Sequence, residues 1–197
     1  MKTNQSQRKT AASASDAILP ELAVVGRRLG LEHCEPVVKV LNQILADIIT
    51  LRDLYKKHHW QVSGPTFYEL HLLFDRHHAQ LEEILDSVAE RIRILGGVGI
   101  AMGPDVAALT SIPRPPRDAE SATDQILRLL SAHEILIRGV RKGARLALKH
   151  GDDGTNDLLV GDVLRTNEMQ FWFLWEQVNG TPELHNKSQL TFTKTKI

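Results

Sequence analysis

Apolar side chains recur at helical spacing through most of the chain. Val38, Leu41, Ile44, Leu45, Ile48, Ile49 and Leu51 trace one face of a first helix. Pro36 suits its first turn, and Ser63-Gly64-Pro65 stops it after Val62. Thr66 and Glu69 have the capping-box spacing that opens a second helix, which runs to Leu95 before Gly96 and Gly97. A third helix is predicted from Ser121 to His150-Gly151, and a fourth from a cap at Thr155 or Asn156 to Asn179-Gly180. Between the second and third lies a long connection holding Pro104, Pro113, Pro115 and Pro116, which can carry a short helix or cross an end of a bundle. No strand-like alternation competes, and there is no internal repeat. The pattern predicts an all-α, four-helix bundle of up-down-down-up course.

The ends read differently. Residues 1–17 are polar and small, the composition of a disordered tail, and 181–197 form a second polar tail. The expected domain is therefore 18–180. Lys plus Arg equals Asp plus Glu at 24 each, so no global charge draws the chain to nucleic acid or an anionic membrane. The one cysteine, Cys34, excludes an intrachain disulfide framework. No stretch approaches the length of a membrane span, and the N-terminus lacks a signal-like apolar run. These features point to a cytoplasmic protein.

The second helix carries the chemistry. At 100° per residue with His71 at zero, Asp75 falls at about 40°, His78 at about −20°, Glu82 at about 20°, Asp86 at about 60° and Glu90 at about 100°. These metal-competent side chains occupy about one third of the circumference. Phe67, Leu70, Phe74, Leu81, Leu85, Val88 and Ile92 define a separate apolar face. A solvated face usually mixes lysine and arginine with its acids, and from His71 to Glu90 this arc contains neither. His71 and Glu90 are about 28 Å apart along such a helix, so one ion cannot use both. They are, however, equidistant from the point between Gln80 and Leu81, and so are Asp75 and Asp86. Two copies packed antiparallel about that point would bring His71 beside Glu90 of the partner subunit and Asp75 beside Asp86 of the partner subunit. That gives two equivalent shared sites per two-fold dimer. His59, at the end of the first helix, can fold over and add a nitrogen. Mixed imidazole and carboxylate donors suit iron. Neither HExxH nor the ExxH spacing of intrasubunit di-iron bundles occurs.

The segment KHHWQVSGPTFYELHLLFDRHHAQLEEILDSVAERIRILGG, Lys57 to Gly97, resembles the signature of the Dps family of ferritin-like proteins. The matching elements are His59-Trp60, Gly64, Phe67, His71-x-x-x-Asp75, Asp86-x-x-x-Glu90-Arg91 and Gly96-Gly97. The resemblance implies a ferritin-like bundle that assembles as a hollow homododecamer. It implies a ferroxidase centre made of His59, His71 and Asp75 with Asp86 and Glu90 of the partner subunit, and Trp60 beside it. It further implies oxidation of Fe(II) by hydrogen peroxide or dioxygen, storage of ferric mineral and protection from oxidative damage.

His78 departs from the family pattern. It is either a further ligand, which would favour Zn(II) at the same site, or a hydrogen-bond partner of a carboxylate or of Glu83 of the partner subunit. His77 is expected at the edge of the core, His58 to face elsewhere, and His33, His133, His150 and His185 to form no cluster. Trp172, Trp175, Phe171 and Phe173 are expected as packing residues. Asp152, Asp153, Asp157 and Asp162 are turn and cap acids in isolation, and candidates for a cation-drawing pore in a cage. A competing role is DNA binding and nucoid protection through basic tails, since many family members coat DNA. Here those tails offer only Lys2, Arg8 and Lys9 at one end and Lys187, Lys194 and Lys196 at the other.

Overall fold

The computed structural model describes residues 28–31 and 34–180. The expected tails at 1–17 and 181–197, with their lysines and arginine, lie outside the described residues, as do His33 and His185. Among the described residues these elements follow in order: α1 Glu35–Gln61, α2 Phe67–Ile94, α3 Gly103–Leu109, α4 Ala122–Lys149, α5 Asp153–Asp157, the π-turn Leu158–Leu164, and α6 Arg165–Val178. No strand occurs among the described residues. No described helix is long and apolar enough to cross a membrane. α5, the π-turn and α6 run on as one helical stretch, with αR backbone at both junctions.

The course is up-down-down-up. Gly97, past the end of α2, lies against Val38 at the start of α1, so α1 and α2 are antiparallel. Lys57 at the end of α1 approaches Glu120 just before α4, while Gly143 near the end of α4 touches Ile44, so α4 also runs against α1. The fourth stretch starts beside Arg91 and reaches Gln80 and the backbone of His77 through Gln170, antiparallel to α2. Leu41, Ile48 and Tyr55 of α1, Phe74 and Leu81 of α2, Leu129 and Leu136 of α4, and Leu159 and Leu174 are fully buried in the shared core.

The helix ends show why the chain breaks where it does. Gly96 takes φ +82°, Gly97 N donates to Ile92 O and Gly96 N donates to Arg93 O, a Schellman stop that only a left-handed residue permits. A Cβ on Gly97 would lie 2.6 Å from Val38 Cγ1, so this glycine is also needed for close approach. Ser121 caps α4 by accepting from Asp124 N, as its position predicts. Thr66 does occupy the N-cap of α2 but makes no side-chain cap bond, so the capping box is not formed. The fourth stretch is capped by Asp152, which accepts from Thr155 N, rather than by Thr155 or Asn156.

The long connection carries α3 and is pinned to α1. Buried Asp47 accepts from Ser111 N at 2.6 Å and Thr110 Oγ1 at 3.0 Å. Gln43 donates to Leu109 O, and Asn42 brackets Val98 and Ile100. Burial pushes the Asp47 carboxyl above its usual range, opposed by these hydrogen bonds.

Three packing expectations need correction. Phe67 is exposed and Leu85 only half-buried on α2, with Ile84 and His77 taking core positions. Trp172 and Trp175 are 56% and 38% exposed, so α6 turns them away from this chain's own core. His133 is not isolated: it hydrogen-bonds Tyr55 and Asn167 in the bundle interior.

Candidate metal centre

The bend at Ser63–Thr66 folds α2 back along α1. It sets His59, on the last turn of α1, against His71, on the second turn of α2. Each ring nitrogen Nδ1 lies 3.0 Å from the other residue's backbone carbonyl oxygen. The His59 carbonyl belongs to the last turn of α1, where no intrahelical donor is available, so His71 supplies part of that cap. A carbonyl oxygen only accepts, so both Nδ1 atoms carry the proton. In the neutral imidazoles both Nε2 atoms then carry the lone pair that a metal ion uses. The rings stack with centroids 3.7 Å apart and 23° between planes, and Phe67 flanks His71 at 5.1 Å.

Asp75 is exposed one turn further along α2, with Oδ1 3.8 Å from His59 Nδ1. Lys56 Nζ lies 2.8 Å from the same oxygen, and this hydrogen bond is the main cause that holds the Asp75 carboxyl below its usual range. Arg52 Nη1 is 2.9 Å from Glu82. Between His71 and Glu90 the acidic arc of α2 carries no lysine or arginine, but α1 supplies two cations. His78 therefore has cationic neighbours from α1, although its own arc offers none beside it. Its basicity is lowered by partial burial first and by Lys56 next, with Glu82 and Asp75 acting in the opposite direction. Among the described residues His78 has no hydrogen-bond partner.

Asp86 and Glu90 are exposed on the far half of α2, about 22 and 28 Å along the axis from His71. His59, His71 and Asp75 are therefore brought together, and Asp86 and Glu90 are not. Among the described residues no three His, Cys, Asp or Glu side chains of one chain gather closely enough to hold an ion. Trp60 follows His59 and is 73% exposed.

Asp152 is not available to line a pore. It is buried, ion-paired to Arg91 and bonded to Thr155. Arg91 also donates from Nε to Thr155 Oγ1 at 2.9 Å, tying the α2 turn that carries Glu90 to the start of the fourth stretch. Asp153, Asp157 and Asp162 remain exposed. Sequence reasoning placed Arg91 in the Asp86-x-x-x-Glu90-Arg91 element but gave it no role; the structure gives it this one.

The sequence and the fold match known proteins. A family model described as ferritin, ferritin-like domain, matches residues 38–184. The DNA protection during starvation protein of Halobacterium salinarum is 30% identical over 161 residues, covering 81% of this chain and 84% of that protein. Among solved structures, DpsC from Streptomyces coelicolor is 48% identical with a TM-score of 0.73, covering 74% of this chain and 85% of that one. A Dps protein from Vibrio cholerae O1, described as a member of a broad superfamily of ferritin-like diiron-carboxylate proteins, is 26% identical with a TM-score of 0.69. It covers 73% of this chain and 89% of its own.

Proposed function

This chain belongs to the Dps family of ferritin-like proteins, and we propose on that footing that it is a ferroxidase and iron-storage protein acting in the reducing cytoplasm. Its substrate is Fe(II), its oxidant hydrogen peroxide or dioxygen, and its assembly a hollow dodecamer of two-fold dimers. The diiron-carboxylate description of the Vibrio cholerae relative supports iron as the metal. The observation that carries the reading is the reciprocal His59–His71 arrangement, which leaves both Nε2 lone pairs free of the backbone, with Asp75 next to His59. Such a half-site is built for a cation and lacks only carboxylates, which Asp86 and Glu90 of the partner subunit would supply.

The residues have distinct duties. His59 and His71 hold Fe(II) through neutral nitrogen, and the carboxylates offset its charge and favour the ferric product. Lys56 keeps Asp75 ionised and must yield when Asp75 takes metal. With peroxide, two ferrous ions supply the two electrons that split the O–O bond, and two protons complete two waters. His78 is a candidate ligand that would let Zn(II) compete for the centre. Asp153, Asp157 and Asp162 are candidates for the cation path inward.

Anaerobic Fe(II) loading followed by peroxide, read as ferric absorbance, tests the function. The wild-type protein should oxidise Fe(II) rapidly, and His71→Ala and Glu90→Ala should each slow it at least tenfold. Undiminished oxidation in both would place the chemistry elsewhere. A second reading, DNA protection, is favoured by the name of the Halobacterium salinarum relative. A gel-shift titration at low and moderate salt tests it, because phosphate contacts weaken steeply with salt.

A further inference from the structure

The bundle interior holds a chain of titratable groups that the metal centre does not use. Asn167 Nδ2 donates to Val163 O at 2.8 Å, which turns its Oδ1 toward His133. His133 Nδ1 lies 2.9 Å from that oxygen, and an amide oxygen only accepts, so Nδ1 carries the proton. In neutral His133 the lone pair is then on Nε2, 2.6 Å from Tyr55 Oη, and the phenol must donate to it. Tyr55 Oη in turn is 3.0 Å from His77 Nδ1. Every donor points the same way, from His77 through Tyr55 and His133 to Asn167, and such chains polarise cooperatively. Tyr55, His133 and Asn167 are all fully buried. Burial keeps the phenol protonated and holds His133 down at about 4, so the resting pair is neutral.

Position makes this chain more than a polar core. Tyr55 precedes His59 by one helical turn, about 6 Å along the axis. Its ring packs 5.9 Å from that of Phe74, the residue before Asp75. A phenol that loses one electron sheds its proton, and in a dry core only an aligned base at hydrogen-bond distance can take it. We propose that Tyr55 is a redox-active tyrosine that supplies an electron to the metal centre when peroxide meets a single ferrous ion, passing its phenolic proton to Nε2 of His133. The inference rests on the ferroxidase reading above. Splitting one peroxide to two waters takes two electrons and two protons. The ferrous ion gives one electron and Tyr55 the other, while solvent gives the two protons. The Tyr55 O–H bond breaks and an N–H bond forms on His133, leaving Fe(III), a neutral tyrosyl radical and an imidazolium. A later ferrous ion returns an electron to the radical, and His133 returns the proton. One-electron equivalents are thereby held in the core instead of escaping as hydroxyl radical.

The sequence contains two tyrosines, Tyr55 and the exposed Tyr68. Tyr68→Phe therefore leaves Tyr55 as the sole source of a tyrosyl signal. The full-length protein, loaded with one Fe(II) per centre, is mixed with peroxide, freeze-quenched and read by electron paramagnetic resonance, with ferric absorbance recorded in parallel. Tyr68→Phe should keep the tyrosyl signal, and Tyr55→Phe should lose at least nine-tenths of it. In the Tyr68→Phe background, His133→Gln, which can accept a hydrogen bond but not a proton, should lower the yield at least tenfold. Iron oxidation without a tyrosyl signal in Tyr68→Phe, or with a signal from Trp60 alone, overturns the proposal and leaves the ferroxidase reading standing. An unchanged yield in His133→Gln overturns the proton step. Absence of ferric product in the wild-type protein overturns both readings.

Discussion

Lys56 Nζ lies 2.8 Å from Asp75 Oδ1, so the first carboxylate of the candidate centre is engaged by a cation of its own chain. A metal ion arriving there competes with an ammonium. Lys56→Met should tighten Fe(II) or Zn(II) binding by up to about fivefold, because exposed ion pairs of this kind contribute about 1 kcal/mol or less. The sign of the pH effect follows. Lys56 holds the Asp75 carboxyl low, so in the variant Asp75 protonates at higher pH and metal binding is lost earlier on acidification. Isothermal titration at several pH values reads both; identical affinities would mean that Lys56 swings away at no cost.

The separation of His71 from Glu90 along α2 predicts complementation. His71→Ala and Glu90→Ala proteins should each oxidise Fe(II) slowly. Mixed under conditions that exchange subunits, they should recover part of the rate, because a mixed dimer regains one intact site. Stopped-flow absorbance after exchange checks this. No recovery, with exchange verified by mass spectrometry, would refute antiparallel pairing.

His78 is the sharpest test of donor set. As a ligand, its replacement by alanine should weaken Zn(II) binding at least tenfold and relieve Zn(II) inhibition of iron oxidation. Its proximity to Lys56 and Arg52 makes the opposite outcome informative too. Equal zinc affinity in both proteins assigns His78 to the electrostatic surroundings of Asp75 and Glu82.

Acid should strip stability through His133. Its folded value of about 4 lies below the ordinary 6.5, first because of burial, so the unfolded chain binds the proton more readily between those values. The contribution is fully present above pH 6.5 and is lost as pH falls toward 4, with a slope of at most about 1.4 kcal/mol per pH unit. Denaturation midpoints across this window should fall less steeply in His133→Gln than in the wild-type protein.

Much of the architecture was legible in periodicity and punctuation. The first three long helices end within a residue or two of where Pro36, Ser63-Gly64-Pro65, Gly96-Gly97 and Ser121 place them. The arc of α2 was legible because its angular order depends on one helix alone. What depends on a second element was not. Nothing in the spacing of α2 reveals that Lys56 and Arg52 lean over it, or that Tyr55 meets a histidine 78 residues away. Asp47, Gln43 and Asn42 drew no reading from the sequence, yet they anchor the crossing connection. The fourth stretch read as one regular helix, whereas Leu158–Leu164 is a π-turn set between two α-helical segments. Asp152 outcompeted Thr155 as the cap because Arg91 holds it in place from α2. The exposure of Trp172 and Trp175 is invisible to periodicity, which counts any aromatic as a candidate for the core.

The distance between the two halves of the ligand set has a consequence for the life of the molecule. If the proposed centre is shared between subunits, a newly synthesised chain would complete its fold, stack His59 on His71 and still be inert toward iron, since its own Asp86 lies about 22 Å from His71. Reactivity would then be conferred by meeting a mate rather than by folding, much as a zymogen is kept silent until its last step. Ferric product, which would foul an unassembled monomer, could form only where a shell is already being built to receive it.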